Sequence, residues 1–493
     1  MYLLGCDIGS SSVKTALVNA ATGETVGVTQ SPAGEMKINA PQPGFAEQDP
    51  EMWWQHLCRA VRRLLSETEV RPADIKSIGI AYQMHGLTAV NKDREVLRPA
   101  IIWCDSRAAE LGEQAYQAIG AEICLRRSLN SPANFTASKL KWVRDNEPEV
   151  YAQIDKIMLP GDYIALRLTG ELRTTVQGLS EGILWDFSED RPADFLLTHY
   201  GISPDLLPEY TDALAPQGVL TAEAAAATGL TAGTPLSYRA GDQPNNALSL
   251  NVLEPGEIAA TGGTSGVVFS VTDRLLTDPT GTTNAFAHIN HSNSAPRIGT
   301  LLCINGAGIL YAYLQKMLTA GELSYAEMSR AAAEIPVGAE GLRILPFGNG
   351  AERMLHHQNP GAQILHLDFN RHTRAHLYRA GLEGIAFSFL YGMEKMREAG
   401  HEMRTLRVGN DNLFRARVFA ETIAAVAGCR IEIIETTGAV GAAKAAGVVP
   451  GVYGSLRGAM TTVQPTAVYE DVKGTEAYRA AYEAWRADLE KFI

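Results

Sequence analysis

Two acidic residues stand beside short runs of small or polar residues where the chain is predicted to leave a β-strand. Asp7 precedes the turn Gly9-Ser-Ser-Ser12, and Asp242 lies in Gly241-Asp-Gln-Pro before a predicted helix. A carboxylate at a strand end can hold a hydrated Mg²⁺ ion or accept a proton from a substrate hydroxyl. An ordinary helix N-cap is the alternative role for Asp242.

Two turns rich in Gly, Ser and Thr have similar sequences, although they lie far apart in the chain. They are Gly9-Ser-Ser-Ser-Val13 and Gly263-Thr-Ser-Gly-Val267. Such a turn presents successive N–H groups and hydroxyls, which suit phosphate oxygens. Neither turn has the Walker pattern or the dinucleotide fingerprint, and either alone would indicate an ordinary hairpin. Their repetition favours a nucleotide held between two domains.

Further polar residues follow other predicted strands. His85 lies in the turn Gln83-Met-His-Gly86, where it could contact a ligand; a satisfied core or surface histidine is the alternative. Trp103, Asp105 and Arg107 combine an aromatic platform with two polar groups, as a polyol site requires. A buried tryptophan beside a surface ion pair is the alternative for this segment.

Alternating strands and helices must position these residues. Residues 2–18 predict a hairpin, 25–30 a third strand, and 75–81 a buried strand. Asp49 and Pro50 predict the start of a helix with apolar residues at helical spacing. Residues 257–271 predict a second hairpin. The pattern predicts an α/β protein with duplicated domains, 1–250 and 251–493.

Composition excludes several classes of protein. The 493 residues are 46% apolar, enough for two cores, and the net charge of −12 argues against binding nucleic acid or an anionic membrane. The six cysteines show no CxxC spacing, which argues against a disulfide framework or structural zinc. We find no signal peptide and no long apolar run, and expect a soluble cytoplasmic protein. The sequence leaves a monomer or a homodimer open.

These motifs occur in the order found in the FGGY carbohydrate kinases, which the chain resembles over nearly its whole length. Within that family the resemblance to the xylulose kinases is greatest, because Gln83-Met-His-Gly86 is similar to their substrate loop. The other matching segments are Asp7–Lys14, Phe45–Trp54, Ile101–Arg107, Gly241–Gln243 and Gly262–Gly266.

The resemblance implies two ribonuclease-H-like domains of the actin/hexokinase type with ATP and sugar in the cleft between them. It implies ATP-dependent, Mg²⁺-dependent phosphorylation of D-xylulose at its terminal hydroxyl, with Asp242 as general base and with Asp7 and Asp242 near the metal. The implied sugar contacts are Met84, His85, Trp103, Asp105 and Asp242. The implied nucleotide contacts are Ser10, Ser11, Lys14, Gly263, Thr264, Gly306 and Gly409.

Two segments depart from the family pattern. Arg407–Leu413 lacks the glycine triplet that commonly passes the adenosine, and Pro244-Asn-Asn246 replaces small residues after the catalytic motif. A kinase for another ketose or polyol, such as ribulose, fuculose or glycerol, is the nearest alternative. A non-catalytic nucleotide-dependent sensor on the same fold is a second alternative. The presence of Asp242 together with both turns favours an enzyme.

Overall fold

The protein is described here by a computed structural model that covers residues 1–356 and 358–493, and its framework is β-sheet. The strands are β1 (Tyr2–Ile8), β2 (Val13–Asn19), β3 (Thr25–Ser31), β4 (Glu47–Gln48), β5 (Ile75–Tyr82), β6 (Thr88–Val90), β7 (Ala100–Ile101), β8 (Lys156–Met158), β9 (Arg173–Thr175), β10 (Trp185–Asp186), β11 (Arg191–Pro192), β12 (Glu209–Thr211), β13 (Leu236–Gly241), β14 (Gly256–Gly262), β15 (Gly266–Thr272), β16 (Asn284–Ala287), β17 (Ile298–Ile304), β18 (Arg343–Phe347), β19 (Gly361–Leu365), β20 (Met403–Gly409), β21 (Arg430–Ile434) and β22 (Ala467–Tyr469).

Helices cover and connect these strands. They are α1 (Pro50–Thr68), α2 (Ala109–Ile119), α3 (Ala121–Ser128), α4 (Thr136–Asn146), α5 (Pro148–Tyr151), α6 (Pro160–Thr169), α7 (Val176–Glu181), α8 (Asp194–Tyr200), α9 (Ala222–Thr228), α10 (Asp242–Ser249), α11 (Gly308–Thr319), α12 (Tyr325–Ala333), α13 (Arg374–Glu398), α14 (Arg417–Ala427), α15 (Gly438–Ala446), α16 (Leu456–Met460) and α17 (Thr475–Leu489). Short 3₁₀ turns occur at Pro72–Asp74, Pro204–Leu206, Ala339–Gly341, Glu352–Leu355 and Asn412–Arg415. In the described part of the chain, no helix is both long enough and apolar enough to cross a membrane.

The first large sheet has the strand order β13-β5-β1-β2-β3. Its strands β1, β5 and β13 are parallel, whereas β2 and β3 are antiparallel to their neighbours. The predicted hairpin, third strand and buried strand are thus confirmed. Tyr82 pairs with Ile8 on one side and with Gly241 on the other. Because parallel strands end at one edge, the segments that follow these three residues are neighbours.

The second large sheet has the strand order β16-β17-β15-β14-β20-β21-β22. Hairpin β14–β15 stands where β1–β2 stands in the first sheet, and β14, β20 and β21 are parallel like β1, β5 and β13. Strand β17 is antiparallel to β15, as β3 is to β2. The repeated order and directions confirm the prediction of a duplicated α/β architecture.

Helix α1 forms where the sequence predicts it. The Asp49 side chain accepts a hydrogen bond from the Glu51 N–H at 2.9 Å, and Pro50 occupies the first helical position. One face of the helix, which includes Trp53 and Leu57, is buried in the core of the first sheet. A local cap and an apolar face therefore suffice to define this helix.

Helix α15 belongs to the second half of the sequence but packs against the first sheet. A Cβ atom at Gly5 of β1 would lie 1.8 Å from the Ala439 carbonyl oxygen, and one at Gly79 of β5 would lie 2.1 Å from that of Ala442. Only glycine permits this approach of strand and helix backbones. The division at residue 250 stays a prediction, because one half supplies a helix to the other half's sheet.

We expect Gly79→Ala to lower the free energy of unfolding by about 3 kcal/mol, because the added methyl group meets the backbone of α15 and cannot be relieved by a side-chain rotation. Gly34→Ala is the matched control, since a Cβ there meets no atom within 4 Å. Urea denaturation followed by circular dichroism measures both variants. Equal stability of the two variants would show that α15 does not pack this closely.

Candidate active site

Four of the predicted site residues lie at the edge where β1, β5 and β13 end. Asp7 is the residue before the end of β1, Met84 and His85 follow β5, and Asp242 directly follows β13. Gly241 is the cap residue of α10, so Asp242 is in the first turn of the helix and is not its N-cap. The N-cap position that the sequence left open for Asp242 therefore belongs to Gly241, while the Asp242 carboxylate interacts with the main chain and side chain of Gln243.

The carboxylate of Asp7 acts electrostatically on the carboxylate of Asp242. Burial and, secondarily, the neighbouring Asp7 raise the pKa of Asp242 to about 7. Burial also raises the pKa of Asp7, while Lys14, its cross-strand partner on β2, acts in the opposite direction. A pKa near neutrality suits Asp242 for accepting and releasing a proton.

The N-terminus of α15 adds backbone beside these carboxylates. A Cβ atom at Gly438 would lie 2.8 Å from Asp7 Oδ2 and 2.9 Å from the side-chain oxygen of Asn246. The Asn245 side chain donates to the Gly438 carbonyl at 2.9 Å and accepts from the Tyr238 hydroxyl at 3.0 Å. A larger residue at position 438 would fill the space between the oxygens.

This donor set fits a Mg²⁺ ion that keeps much of its water shell. Asn246 lies one helical turn after Asp242 and therefore on the same side of α10. Carboxylate and amide oxygens are suitable ligands for Mg²⁺, which usually retains several waters. Within the described residues, no group of three or more His, Cys, Asp or Glu could hold a metal ion. Two carboxylates, an amide and water would be the ligands of such an ion.

The main chain of His85 has a left-handed conformation, with φ of 60°. Its N–H donates to Glu181 Oε1 at 3.3 Å, and its carbonyl oxygen accepts from Lys139 Nζ at 2.8 Å. Lys139 also donates to the Ile102 carbonyl at 3.0 Å, just before Trp103. The side chains of Glu181 and Lys139 are buried, and Lys139 connects the two predicted sugar-facing segments through these hydrogen bonds.

The imidazole ring of His85 lies between the two halves of the chain. Its centroid is 4.7 Å from that of Phe135 and 5.2 Å from that of Phe286, which belongs to β16. Burial lowers the pKa of His85 to about 3, so the ring is neutral at physiological pH. The preceding Met84 is buried, and its side chain packs against Gly241.

In the Trp103–Arg107 segment the tryptophan is exposed and the ion pair is buried. This is the opposite of the alternative that the sequence left open, a buried tryptophan beside a surface ion pair. Trp103 is 53% exposed, and its indole N–H donates to Ser10 Oγ at 3.2 Å. Asp105 is 0% exposed; Oδ2 accepts from the Ala46 N–H at 2.5 Å and pairs with Arg107 at 2.7 Å. The expected sugar contact by Asp105 is thus not supported, because its carboxylate anchors the segment that carries Trp103.

The first predicted phosphate turn is held by bonds from outside itself. The Gln48 side chain donates to the Ser10 carbonyl at 2.7 Å, and the Met36 N–H donates to the Ser11 carbonyl at 2.7 Å. The side chains of Ser11 and Lys14 remain exposed. The turn therefore has a fixed backbone and polar side chains available to a ligand.

The second predicted phosphate turn accepts hydrogen bonds from the start of helix α11. The N–H groups of Gly308 and Ile309 donate to the carbonyls of Gly263 and Thr264, at 2.8 and 3.2 Å. The Thr264 side chain is exposed. As in the first turn, the carbonyl oxygens are occupied by the protein, and the exposed side of the turn faces outward.

The two other glycines predicted to contact a nucleotide differ in setting. Gly306 is buried with φ of 82°, and a Cβ there would lie 1.7 Å from the Pro346 carbonyl oxygen. Close packing thus accounts for the glycine at this position, and its contact with a nucleotide stays a prediction. Gly409 ends β20, and a Cβ there would lie 3.3 Å from Asp411 Oδ1. An acidic side chain therefore borders the position where the sequence departs from the family pattern.

The sequence analysis assigns no role to three residues of the site, which are Asn246, Lys139 and Glu181. Asn246 could have been found, because it lies four residues after Asp242 on a predicted helix. Lys139 and Glu181 carry no such signal, since each lies on a helix far along the chain from the residues that it contacts. Only the tertiary structure brings them to His85.

Comparison with known proteins gives a consistent result. The models of the N-terminal and C-terminal domains of the FGGY family of carbohydrate kinases match residues 2–249 and 258–449. Xylulose kinase of Escherichia coli (strain K12) is 30% identical over 489 residues, or 99% of this chain and 97% of that protein. The L-xylulose/3-keto-L-gulonate kinase of the same strain is 31% identical over 98% of this chain and 96% of that protein.

Solved structures agree with the fold described above. The crystal structure of xylulose kinase from Rhodospirillum rubrum superposes with a TM-score of 0.88 at 26% identity, covering 100% of this chain and 99% of that one. Glycerol kinase from Plasmodium falciparum, solved with ADP, gives a TM-score of 0.87 at 20% identity over 100% and 98% of the two chains, a likeness of fold alone. The actin/hexokinase-type fold is therefore confirmed, and the chain belongs to the FGGY family of carbohydrate kinases as a sugar kinase.

Proposed function

We propose that this sugar kinase phosphorylates D-xylulose to D-xylulose 5-phosphate, with ATP as donor and Asp242 as general base. The position of Asp242 carries the proposal: it lies where three strand ends meet, with a pKa of about 7. The similarity to xylulose kinases at about 30% identity supports the choice of sugar. FGGY carbohydrate kinases use ATP, generally with Mg²⁺.

In the proposed reaction, Asp242 accepts the proton of the terminal sugar hydroxyl. The hydroxyl oxygen forms a bond to the γ-phosphorus of ATP, and the bond from that phosphorus to the bridging oxygen of ADP breaks. Such a transfer depends mainly on positioning and charge stabilisation, because the protein forms no covalent bond itself. Closure of the two halves of the chain around the substrates would exclude water, which otherwise competes as acceptor.

The two turns would hold the nucleotide. Ser10, Ser11 and Lys14 would contact phosphates from the first half of the chain, and Gly263 and Thr264 from the second. Exposed hydroxyls and a lysine ammonium on a fixed backbone support this assignment. Gly409 would border the nucleoside beside Asp411.

Asp7, Asp242 and Asn246 would hold the Mg²⁺ ion, directly or through water. When bound, the ion supplies positive charge that stabilises the phosphate oxygens. Asp7 and Asn246 converge on Gly438, which supports this donor set. The amide of Asn246 also replaces a small residue where the sequence departs from the family pattern.

The sugar would lie against Met84, His85 and Trp103. A specific alternative is a kinase for L-xylulose or 3-keto-L-gulonate, since a protein of that name is as similar as the xylulose kinases. A coupled assay of ADP formation across D-xylulose, L-xylulose, 3-keto-L-gulonate, ribulose, fuculose and glycerol decides between them. D-xylulose is expected to give the highest kcat/KM.

We expect Asp242→Asn to lower kcat by about 10² to 10⁴, because the amide cannot accept the proton. The fold should persist, since the side chains are nearly equal in size. Asp49→Asn is the matched control, because asparagine also caps a helix and Asp49 lies at α1. Turnover of Asp242→Asn close to wild type would exclude Asp242 as the base.

The pH dependence provides a separate test. Because the pKa of Asp242 is raised to about 7, we expect kcat/KM to rise with pH through this value and to level off above about pH 8. At saturating MgATP the midpoint should move to lower pH, because nearby positive charge favours the carboxylate. Initial rates from about pH 5.5 to 9 at low and saturating MgATP measure both effects. Rates independent of pH below about 7 would contradict the assignment.

We expect Gly263→Val to weaken ATP binding by about tenfold or more, because the side chain would occupy space that the phosphates need. The protein itself tolerates the change: the nearest atom to a Cβ there is the Ser265 carbonyl oxygen at 3.6 Å. Calorimetry with ATP and, separately, with the sugar measures the two affinities. Unchanged ATP affinity would place the phosphates elsewhere, and loss of sugar binding would indicate misfolding.

A further inference from the structure

The hydrogen-bonding polarity of the His85 ring is set by the protein. Nδ1 lies 2.9 Å from the main-chain carbonyl oxygen of Glu181. A carbonyl oxygen can only accept, so Nδ1 carries the proton. Because the ring is neutral, Nε2 has a lone pair and no proton. His85 is only partly buried, and in the described part of the chain no hydrogen bond to Nε2 is found.

The side chain of Glu181 fixes the same residue from the main-chain side. Its Oε1 accepts the His85 N–H at 3.3 Å, so one residue bonds both the ring and the backbone of His85. A non-glycine residue with positive φ is unfavourable and persists only where its surroundings hold it. Lys139 holds the other side of the same residue, because its ammonium group donates a hydrogen bond to the His85 carbonyl oxygen.

Glu181 also touches the strand that leads to Asp242. A Cβ atom at Gly241 would lie 2.3 Å from Glu181 Oε2, so the carboxyl group packs directly against the residue before the proposed base. The carboxyl group therefore connects the His85 turn with the start of α10. A displacement of Glu181 would move both together.

We propose that Glu181 is a positioning residue that presents His85 Nε2 to the cleft as a hydrogen-bond acceptor, so that the site selects a sugar hydroxyl able to donate. The proposal rests on the proposed function, in which His85 faces the sugar. It adds the direction of that hydrogen bond and the residue that determines it. The chain discriminates by this means against sugars without a donor at that position.

Sugar analogues test the direction of the bond without altering the protein. Each non-reacting hydroxyl of the ketose is replaced in turn by hydrogen or by fluorine, which cannot donate a hydrogen bond. At one carbon, both analogues should lose about tenfold or more in kcat/KM, to a similar extent. A fluoro analogue that retains the activity its deoxy counterpart loses would show Nε2 to be a donor and overturn the proposal.

The histidine variant separates this proposal from the proposed function. In His85→Ala, the deoxy and fluoro analogues at that carbon should no longer differ from the parent sugar. If the variant leaves the sugar KM unchanged, the placement of the sugar beside His85 is wrong. If the sugar KM rises but wild type treats the fluoro analogue as a good substrate, only the direction of the bond is wrong.

Variants of Glu181 test the positioning role. Glu181→Gln keeps an oxygen acceptor for the His85 N–H, so its sugar KM should stay within about twofold of wild type. Glu181→Ala removes that acceptor, and should raise the sugar KM by about tenfold with the ATP KM unchanged. It should also reduce the discrimination against the deoxy analogue.

Thr175→Ala is the matched control for a merely structural effect. The Thr175 hydroxyl caps the same helix, α7, by accepting the Gly178 N–H at 2.9 Å, and no hydrogen bond between Thr175 and His85 is found in the described part of the chain. It should lower the melting temperature and leave the sugar KM unchanged. The proposal fails if Glu181→Ala shows the same pattern, or if Glu181→Gln impairs sugar use as much as Glu181→Ala. The analogue series on wild type remains decisive if Glu181→Ala does not fold.

Discussion

The approach of helix α15 to the first sheet is the constraint on which the cleft depends. At Gly5 and Gly79 the strand backbones lie so close to the helix backbone that no side chain fits between them. The fixed helix places Gly438, its first residue, beside Asp7 and Asn246. The floor of the site is therefore formed jointly by both halves of the chain, and its oxygens converge because the packing behind them leaves no freedom.

The electrostatics of the site follow from burial of groups that would otherwise be charged or solvated. Burial penalises the charged form of each group, which raises the pKa of Asp242 and lowers that of His85. The result is a carboxylate near its point of half-ionisation beside a neutral imidazole. Asp242 is thereby suited to exchanging a proton at neutral pH. His85 is suited to hydrogen bonding as an uncharged ring.

Features determined by local sequence were predicted, and those determined by tertiary packing were not. The hairpins, α1, Asp7 and Asp242 follow from patterns within a few residues, and parallel strand ends explain why the acids meet. Asp105 was expected to contact the sugar, but its carboxylate is buried and bonded to Arg107 and to Ala46, which lies far along the chain. Gly306 illustrates the same limit, because a nucleotide contact and close packing against Pro346 both require glycine. Which atoms surround a glycine cannot be deduced from one sequence.

The position of α15 in the chain has a consequence for synthesis. Strands β1 and β5 leave the ribosome early, but the helix that covers their glycine-lined face is made only after residue 438. At an elongation rate of about 5–20 residues per second, that face waits roughly 20–70 s for its cover. During this interval one apolar face of the first sheet is uncovered and open to chaperones or to association with other nascent chains. Because the first sheet packs so closely against α15, the first half of the protein can finish folding only after the segment that contains α15 has been synthesised.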